Sequence, residues 1–381
     1  MRRRDVLLFS AGGILASAGA AGGGAATREP LAALAPGRDA ALDADDPRIG
    51  VFRHAILAPN PHNRQPWLIR LIDADTAEIR CDLGKRLPAT DPFDRQIVIG
   101  FGCFLELARL AAAARGLRLD IAPFPDGAGD PRLDGRPIAR LTFRADPTLA
   151  RDPLFAAIPA RRSVKEPFDP ARPVSAEALA RLLASAGIAP DVTAMGTVDA
   201  ARVAPLRDLA LRAWRIEAAT PTAWRESVDL MRIGKAEIEA APDGIDLGGP
   251  MFEALSHARL VTRATLADTG STAFREGARA YEAMFATSMG FVWLATRANA
   301  RTDQLAAGAA YVRLNLAATA MGVSLHPVSQ ALQEFPERAG PRAEAGTLAP
   351  GARVQMLARI GYADPVPPSP RWPLAAKLTK A

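Results

Sequence analysis

Two long apolar helical runs, each bounded by glycines, constrain this 381-residue chain more than any other feature. Gly102-Cys-Phe-Leu-Glu-Leu-Ala-Arg-Leu110-Ala-Ala-Ala-Ala-Arg-Gly116-Leu-Arg-Leu119 aligns without gaps over Gly308-Ala-Ala-Tyr-Val-Arg-Leu-Asn-Leu316-Ala-Ala-Thr-Ala-Met-Gly322-Val-Ser-Leu325. Both glycines, the intervening Leu-Ala-Ala and the final leucine coincide. Each run ends on a glycine suited to a helix C-terminus and leads into a strand. The chain therefore reads as two diverged copies of one α+β unit. Ala-rich helices resemble one another, so taken alone the match leaves coincidence open.

The flanking segments sort into two blocks, 47–150 and 151–381. In the first, Ile49 to Leu57 reads as a helix stopped at Pro59-Asn60-Pro61. Trp67 to Ile72 and Ala77 to Asp82 read as a hairpin, Ile97 to Arg115 as the long helix, and Ile138 to Arg144 as a closing strand. In the second, Pro153 to Ala160 is a short helix and Ser175 the N-cap of a helix through Ala186. Amphipathic patterns predict helices at Val203 to Thr220 and Trp224 to Ile233. A turn-rich piece, Pro242 to Pro250, precedes long helices at Ala273 to Ala298 and Thr302 to Met321, a strand from Arg353 to Ile360, and a Pro-rich tail.

Residues 1–27 join three arginines to an uncharged stretch with several small-x-small sites, the layout of a secretory signal; Arg3-Arg4-Asp5-Val6-Leu7 resembles the twin-arginine type. The expectation is recognition by the twin-arginine export machinery and a periplasmic mature protein, with an ordinary basic terminus or an uncleaved anchor as the alternative. Residues 28–46, rich in Ala, Pro, Gly and Asp, read as a linker. No window beyond the signal reads as a bilayer span. The net charge is +6, but the arginines are scattered among acids and only 6% of residues are aromatic, which argues against a nucleic-acid surface. Cys81 and Cys103 form no CxxC pattern, so no metal site is expected, and whether they pair cannot be read from their spacing.

The richest segment chemically is Asn60-Pro-His62-Asn63-Arg64-Gln65-Pro66-Trp67, where two amides on a Pro-bounded turn precede a strand. Such amides donate and accept, which suits a polar heteroaromatic edge, although an isolated motif of this kind equally serves its own backbone. A second cluster, Arg161-Arg162-Ser163-Val164-Lys165-Glu-Pro-Phe168, offers planar guanidiniums and a hydroxyl suited to a phosphate. A third, Arg353 to Tyr362 followed by Arg371-Trp372, adds another cation.

Together these segments resemble the nitroreductase family, and specifically its Acg-like branch. The first is similar to the family's Pro-Ser-x-x-Asn-x-Gln-Pro-Trp loop, with Asn60 and Pro61 in place of the usual Ser pair. The second is similar to its Arg-Arg-Ser-x-Arg/Lys-x-Phe opening, and the third to its terminal strand, Gly-Tyr turn and phosphate-binding Arg. The resemblance implies a nitroreductase-like α+β fold in which two halves are fused as an internal pseudo-dimer. It also implies one FMN, held by Arg161, Arg162, Ser163, Lys165, His62, Asn63, Gln65, Arg371 and, beside the reactive nitrogen, Ser329. The first block lacks an Arg-Arg-Ser and the second lacks the amide loop, so one complete site is expected. The implied function is electron transfer from NAD(P)H through FMN to a nitro, quinone or similar small-molecule acceptor. The alternative is a catalytically quiet FMN-binding or storage protein whose flavin is covered by a lid over 224–260.

Overall fold

The computed structural model describes residues 29–38, 41, 44–186 and 191–379. The expected export signal, 1–27, lies outside the described residues. The segment expected as a linker carries a helix, α1 (Leu31–Arg38), and the carbonyl of Ala33 accepts the Arg371 amide at 2.8 Å. That tertiary contact with the far end of the chain is what local composition could not reveal.

Local signals start the next elements. Helix α2 (Pro47–Ala55) begins at a proline whose absent N–H costs nothing there, and the Asp46 carboxylate accepts the Arg48 amide as its cap. The remaining helices are α3 (Arg95–Ala114), α4 (Ala176–Ser185), α5 (Ala200–Ala219), α6 (Pro221–Asp229), α7 (Gly234–Ala240), α8 (Pro250–His257), α9 (Arg263–Ala267), α10 (Thr272–Ala286), α11 (Arg301–Ala320) and α12 (Ala339–Gly346). Ser175 caps α4 through its hydroxyl, and Gly116 and Gly322 follow α3 and α11 with left-handed φ of 68° and 69°.

The strands form two antiparallel sheets of the same plan. β1 (Trp67–Leu71), β2 (Thr76–Cys81), β3 (Leu117–Pro123) and β4 (Ala139–Ala145) lie in the order β1-β2-β4-β3, with α3 between β2 and β3 in sequence. β5 (Val192–Thr197), β8 (Gly290–Thr296), β9 (Ser324–Pro327) and β10 (Arg353–Gly361) lie in the order β5-β8-β10-β9, with α11 between β8 and β9. A tight hairpin joins β1 to β2, whereas residues 198–289 intervene between β5 and β8. This insertion holds α5 to α10 and a small parallel pair, β6 (Met231–Ile233) with β7 (Ile245–Leu247). The C-terminal strand β11 (Leu378–Thr379) adds in parallel to β1, so the tail of the second block closes the sheet of the first.

Helices α3 and α11 cross at the centre of a hydrophobic core that runs from Phe52, Trp67 and Phe104 to Val312, Leu325 and Ile360. The crossing is reciprocal. A Cβ on Gly102 would lie 2.1 Å from the Leu305 carbonyl oxygen, and one on Gly308 would lie 2.0 Å from the Ile99 carbonyl oxygen. No side chain fits either place, so the two backbones touch. The Cys103 thiol donates to the Gly308 carbonyl at 3.1 Å across the same contact.

Several expectations change. α3 is long and apolar enough to cross a membrane by composition, contrary to the sequence reading, yet 83% of its apolar window is buried in the protein core. The long helix expected over Ala273 to Ala298 stops at Ala286, and Gly290–Thr296 becomes β8, with every residue buried between two partner strands. A fully buried strand shows no alternation, and a continuous apolar run does not distinguish it from a helix. Likewise Met231–Ile233 leaves the expected helix to pair with Ile245–Leu247 inside the turn-rich piece, a pairing of segments distant in sequence. Cys81 and Cys103 are unpaired thiols, both buried, which pushes each up to about 12.

An alanine at Gly308 puts a methyl group on a backbone carbonyl that has no flexible atom to yield. Gly308→Ala should cost about 3 kcal/mol, the upper end for overpacking, seen as a lower urea midpoint. Gly340→Ala, whose Cβ meets nothing within 4 Å, should leave stability unchanged or raise it by up to about 1 kcal/mol. Equal midpoints for the two variants would show that the crossing is not a constraint.

Candidate cofactor site

The loop between α2 and β1 is held in a conformation that its residues disfavour. His62, Asn63 and Gln65 have φ of 46°, 51° and 50°, each costing about 1 kcal/mol or more for a residue with a Cβ. The surroundings impose it. The Gln65 amide nitrogen donates to the Pro242 carbonyl at 2.6 Å, and its oxygen accepts the Trp372 amide at 2.9 Å. Asn63 donates to the Pro370 carbonyl at 2.9 Å and accepts from the Arg371 guanidinium. Lys377 donates to the Gln65 carbonyl at 2.7 Å. Loop, tail and insertion are thereby clamped together.

Against this loop stand the cations of the second block. Arg161 donates through Nη2 to the Leu57 carbonyl at 3.2 Å, while its buried Nε and Nη1 have no partner among the described residues. Arg371 donates to the carbonyls of Ile56, Leu57, Ala58 and Pro370 and to the Asn63 amide oxygen. Neither guanidinium has a carboxylate among these partners. Burial first, and then repulsion by Arg161 and Arg162 against the attraction of Asp246, bring Arg371 down to about 9. Burial and Arg161 bring Arg162 down to about 10. Positive charge is packed here beyond what the protein itself neutralises.

These groups open onto a cavity of about 250 Å³. Of the nine expected contact residues, His62, Asn63, Arg161, Ser163, Lys165, Ser329 and Arg371 line it. Gln65 and Arg162 do not. Gln65 is fully buried behind the loop, with both ends of its amide used as described. Arg162 turns to the carbonyls of Val366, Pro159 and Arg161. Both therefore position neighbours rather than face the cavity.

Two histidines on the wall are neutral at neutral pH. Burial, Lys165 and Arg64 bring His62 down to about 4. Burial, Arg359 and Lys165 hold His326 well below the usual imidazole range, and Arg359 Nε donates to its Nδ1 at 3.2 Å, which leaves the proton on Nε2. Sequence reasoning missed Asp246 on β7, which also lines the cavity. Burial raises its carboxyl, against the pull of Lys165 and Arg371. No motif marks it, because the insertion brings it there only by folding.

In the first block, Arg48 at the start of α2 is matched locally. Arg48 donates Nε and Nη2 to the Asp46 carboxylate and Nη1 to the Thr76 carbonyl. It has no surplus charge to offer a ligand.

The insertion is fastened over the cavity by two carboxylates. Asp243 accepts from Lys85 and, at 2.9 Å, from Arg232, with Arg64 at 3.8 Å. Glu226 accepts the Ala89 and Thr90 amides at 2.9 Å and the Thr90 hydroxyl at 2.6 Å.

A sequence profile of the Nitroreductase family matches residues 158–362, more than half of the chain. The chain belongs to the nitroreductase family. Its α+β fold is accordingly nitroreductase-like. Among similar proteins are two from Mycobacterium tuberculosis, strains H37Rv and CDC 1551, each named "Putative NAD(P)H nitroreductase". Each is 28% identical over 337 residues, which cover 85% of this chain and 89% of theirs. Solved structures that align include the FMN-dependent nitroreductase of Mycobacterium smegmatis in complex with NADPH, at 21% identity over 58% of this chain and 94% of that one, with a TM-score of 0.33. Another is an FMN-bound nitroreductase of Bacteroides fragilis, at 15% identity over 56% and 89%, with a TM-score of 0.30. The family match begins just before Arg161 and ends before Arg371; the loop holding His62 and Asn63 lies outside it.

The Asp243 latch generates a prediction. Burial opposes its ionisation, but the Lys85 and Arg232 contacts and the Arg64 charge win, so its folded pKa lies below the ordinary 3.8. Its contribution is complete above that ordinary value and is lost as pH falls through the lower folded one. Asp243→Asn should therefore lower stability at pH 7 by about 3 kcal/mol, and the difference between variant and parent should narrow at strongly acid pH. Thermal unfolding across pH tests this; a constant difference down to pH 2 would contradict it.

Proposed function

We propose that this protein is an FMN-dependent oxidoreductase of the nitroreductase type, moving electrons from NAD(P)H to a nitro, quinone or similar acceptor. The observation that carries the reading is the buried Arg161 guanidinium, with two unpartnered N–H donors in a cavity shared with Arg371 and Lys165. A buried cation without an anionic partner is costly, and a phosphate monoester with several acceptor oxygens is the group that such donors suit. The residues present fit FMN.

In this reading Arg161 and Arg371 hold the phosphate, while Ser163 and Lys165 face the pyrimidine edge of the ring. His62 and Asn63 lie along the ring and its ribityl chain, and Ser329 approaches the reactive edge. FMN, when bound, supplies the hydride and electron transfer. The protein's own part is to orient and to exclude water: neutral His326 offers an Nε2–H donor held by Arg359, and the insertion covers the cavity. Asp246 can hold a proton at its carboxyl above the ordinary carboxylate range.

The shared strand order, the reciprocal glycine contact and the crossing of the tail onto the first sheet support a fused, internally duplicated dimer of the Acg-like kind. The internal Asp46–Arg48 pairing supports one competent site per chain. A second reading, a quiet FMN-storing protein, draws on the Asp243 and Glu226 latches, which oppose entry of a nicotinamide. Stopped-flow mixing with NADH and NADPH separates the two readings, since fast flavin bleaching belongs only to the enzyme. Export by the twin-arginine route is part of the proposal; Arg3→Lys/Arg4→Lys should retain the protein in the cytoplasm, and an unchanged periplasmic amount would count against it.

Protein denatured to release its flavin should yield about one FMN per chain, and two would refute the single-site reading. Arg161→Ala should weaken FMN binding by about 2–5 kcal/mol, roughly 30-fold to several-thousand-fold, in a flavin fluorescence titration with circular dichroism as the folding control. Folded variant protein with parental affinity would remove the phosphate site from the reading.

A further inference from the structure

Helix α11 brings to the cavity a polar side chain that the protein leaves without a partner. Tyr311 is 3% exposed and lines the cavity, and its hydroxyl makes no hydrogen bond among the described residues. A buried phenol ordinarily finds a partner, because a hydroxyl stranded away from water carries the full cost of its desolvation. No contact within the protein offsets that cost here.

The neighbourhood of that hydroxyl is Arg161. Arg161, Ser163 and Cys103 line the same cavity. Burial raises the Tyr311 phenol above its ordinary range, and the Arg161 charge pulls against it. The influence is mutual, since burial lowers Arg161 while Tyr311 and then Cys103 oppose the shift. Asn315 and Ser163 also act on the hydroxyl, yet neither completes a hydrogen bond to it. Cys103 is no counter-charge: burial keeps its thiol protonated, and the thiol donates to the Gly308 carbonyl at 3.1 Å.

Two N–H groups of Arg161, on Nε and Nη1, and the Tyr311 O–H are thus buried, unpartnered and neighbours. A second cation stands within reach, because Arg161 and Arg371 both donate to the Leu57 carbonyl, at 3.2 Å and 3.4 Å. A cationic ligand would be repelled, and a neutral one would leave the guanidinium charge unmatched. An anion with several acceptor oxygens satisfies all three donors together, and a phosphate has enough oxygens to accept from the guanidinium and the hydroxyl at once.

We propose that the Tyr311 hydroxyl is a further ligand of the phosphate group that Arg161 holds, donating to one of its oxygens. The identity of the phosphate ester rests on the flavin reading above; the anion seat does not. Tyr311 lies three residues beyond Gly308, about one helical turn, so the backbone contact between α3 and α11 also places this donor.

The test compares full-length Tyr311→Phe with the parent in flavin fluorescence titrations with FMN and with riboflavin, which lacks the phosphate. The variant should bind FMN about tenfold more weakly and riboflavin within about twofold of the parent. Urea unfolding of both proteins, freed of flavin and in phosphate-free buffer, separates a ligand contact from a structural one. Loss of an unpartnered hydroxyl should leave the midpoint unchanged or raise it, whereas loss of one with a partner inside the protein lowers it. Added inorganic phosphate should then raise the parent's midpoint more than the variant's. Parental FMN affinity in the variant, an equal loss for FMN and riboflavin, or a lower ligand-free midpoint would overturn the proposal. If the parent binds no FMN but phosphate stabilises it through Tyr311, the flavin reading fails and the anion seat stands; a parent that responds to neither ligand ends both.

Discussion

The contact between α3 and α11 is the constraint on which the rest of the structure depends. Two glycines let two helix backbones meet where any side chain would collide with a carbonyl. Packing this close leaves little tolerance, because protein interiors have few voids to absorb a displaced helix. Each helix also joins the second and third strands of its own sheet in sequence, so the contact ties the two sheets together. The loop bearing His62 and Asn63 comes from one block and Arg161 from the other. A shift of the helices would part them.

The second organising element is charge left unbalanced. Arg371 is surrounded by carbonyl oxygens, and Arg161 leaves two donors unpartnered. Two other buried arginines take the opposite course, Arg48 matched with Asp46 and Arg338 with Glu217. A buried cation lowers its cost by finding an anion, so a surplus held in one cavity marks a place prepared for a ligand. The left-handed residues of the adjoining loop belong to the same arrangement, since strain is kept where neighbouring contacts over-determine it.

The insertion between β5 and β8 supplies part of the cavity's wall. Its carboxylates Asp243 and Glu226 fasten it to the first block, while its aromatic residues wall an apolar space. The cavity's lining thus includes both cations and aromatic rings.

Much of this was legible in the chain. The repeat ending at Gly116 and Gly322, the hairpin before Cys81, the Ser175 cap and the three basic or amide segments all depend on short-range chemistry that neighbouring residues determine. Sequence also identified the family and seven residues that line one cavity. What it could not assign required distant partners. Phe291-Val292-Trp293 is a strand only because β5 and β10 flank it, and Met231–Ile233 only because Ile245–Leu247 lies beside it. Gln65 and Arg162 turn from the cavity because backbone carbonyls elsewhere claim them, and Asp246 enters it because the insertion folds over. The sequence by itself determined the local elements and the kinds of chemical group available. Tertiary structure alone decided which of those groups face the cavity, because burial, hydrogen-bond competition and charge crowding arise only when distant segments meet.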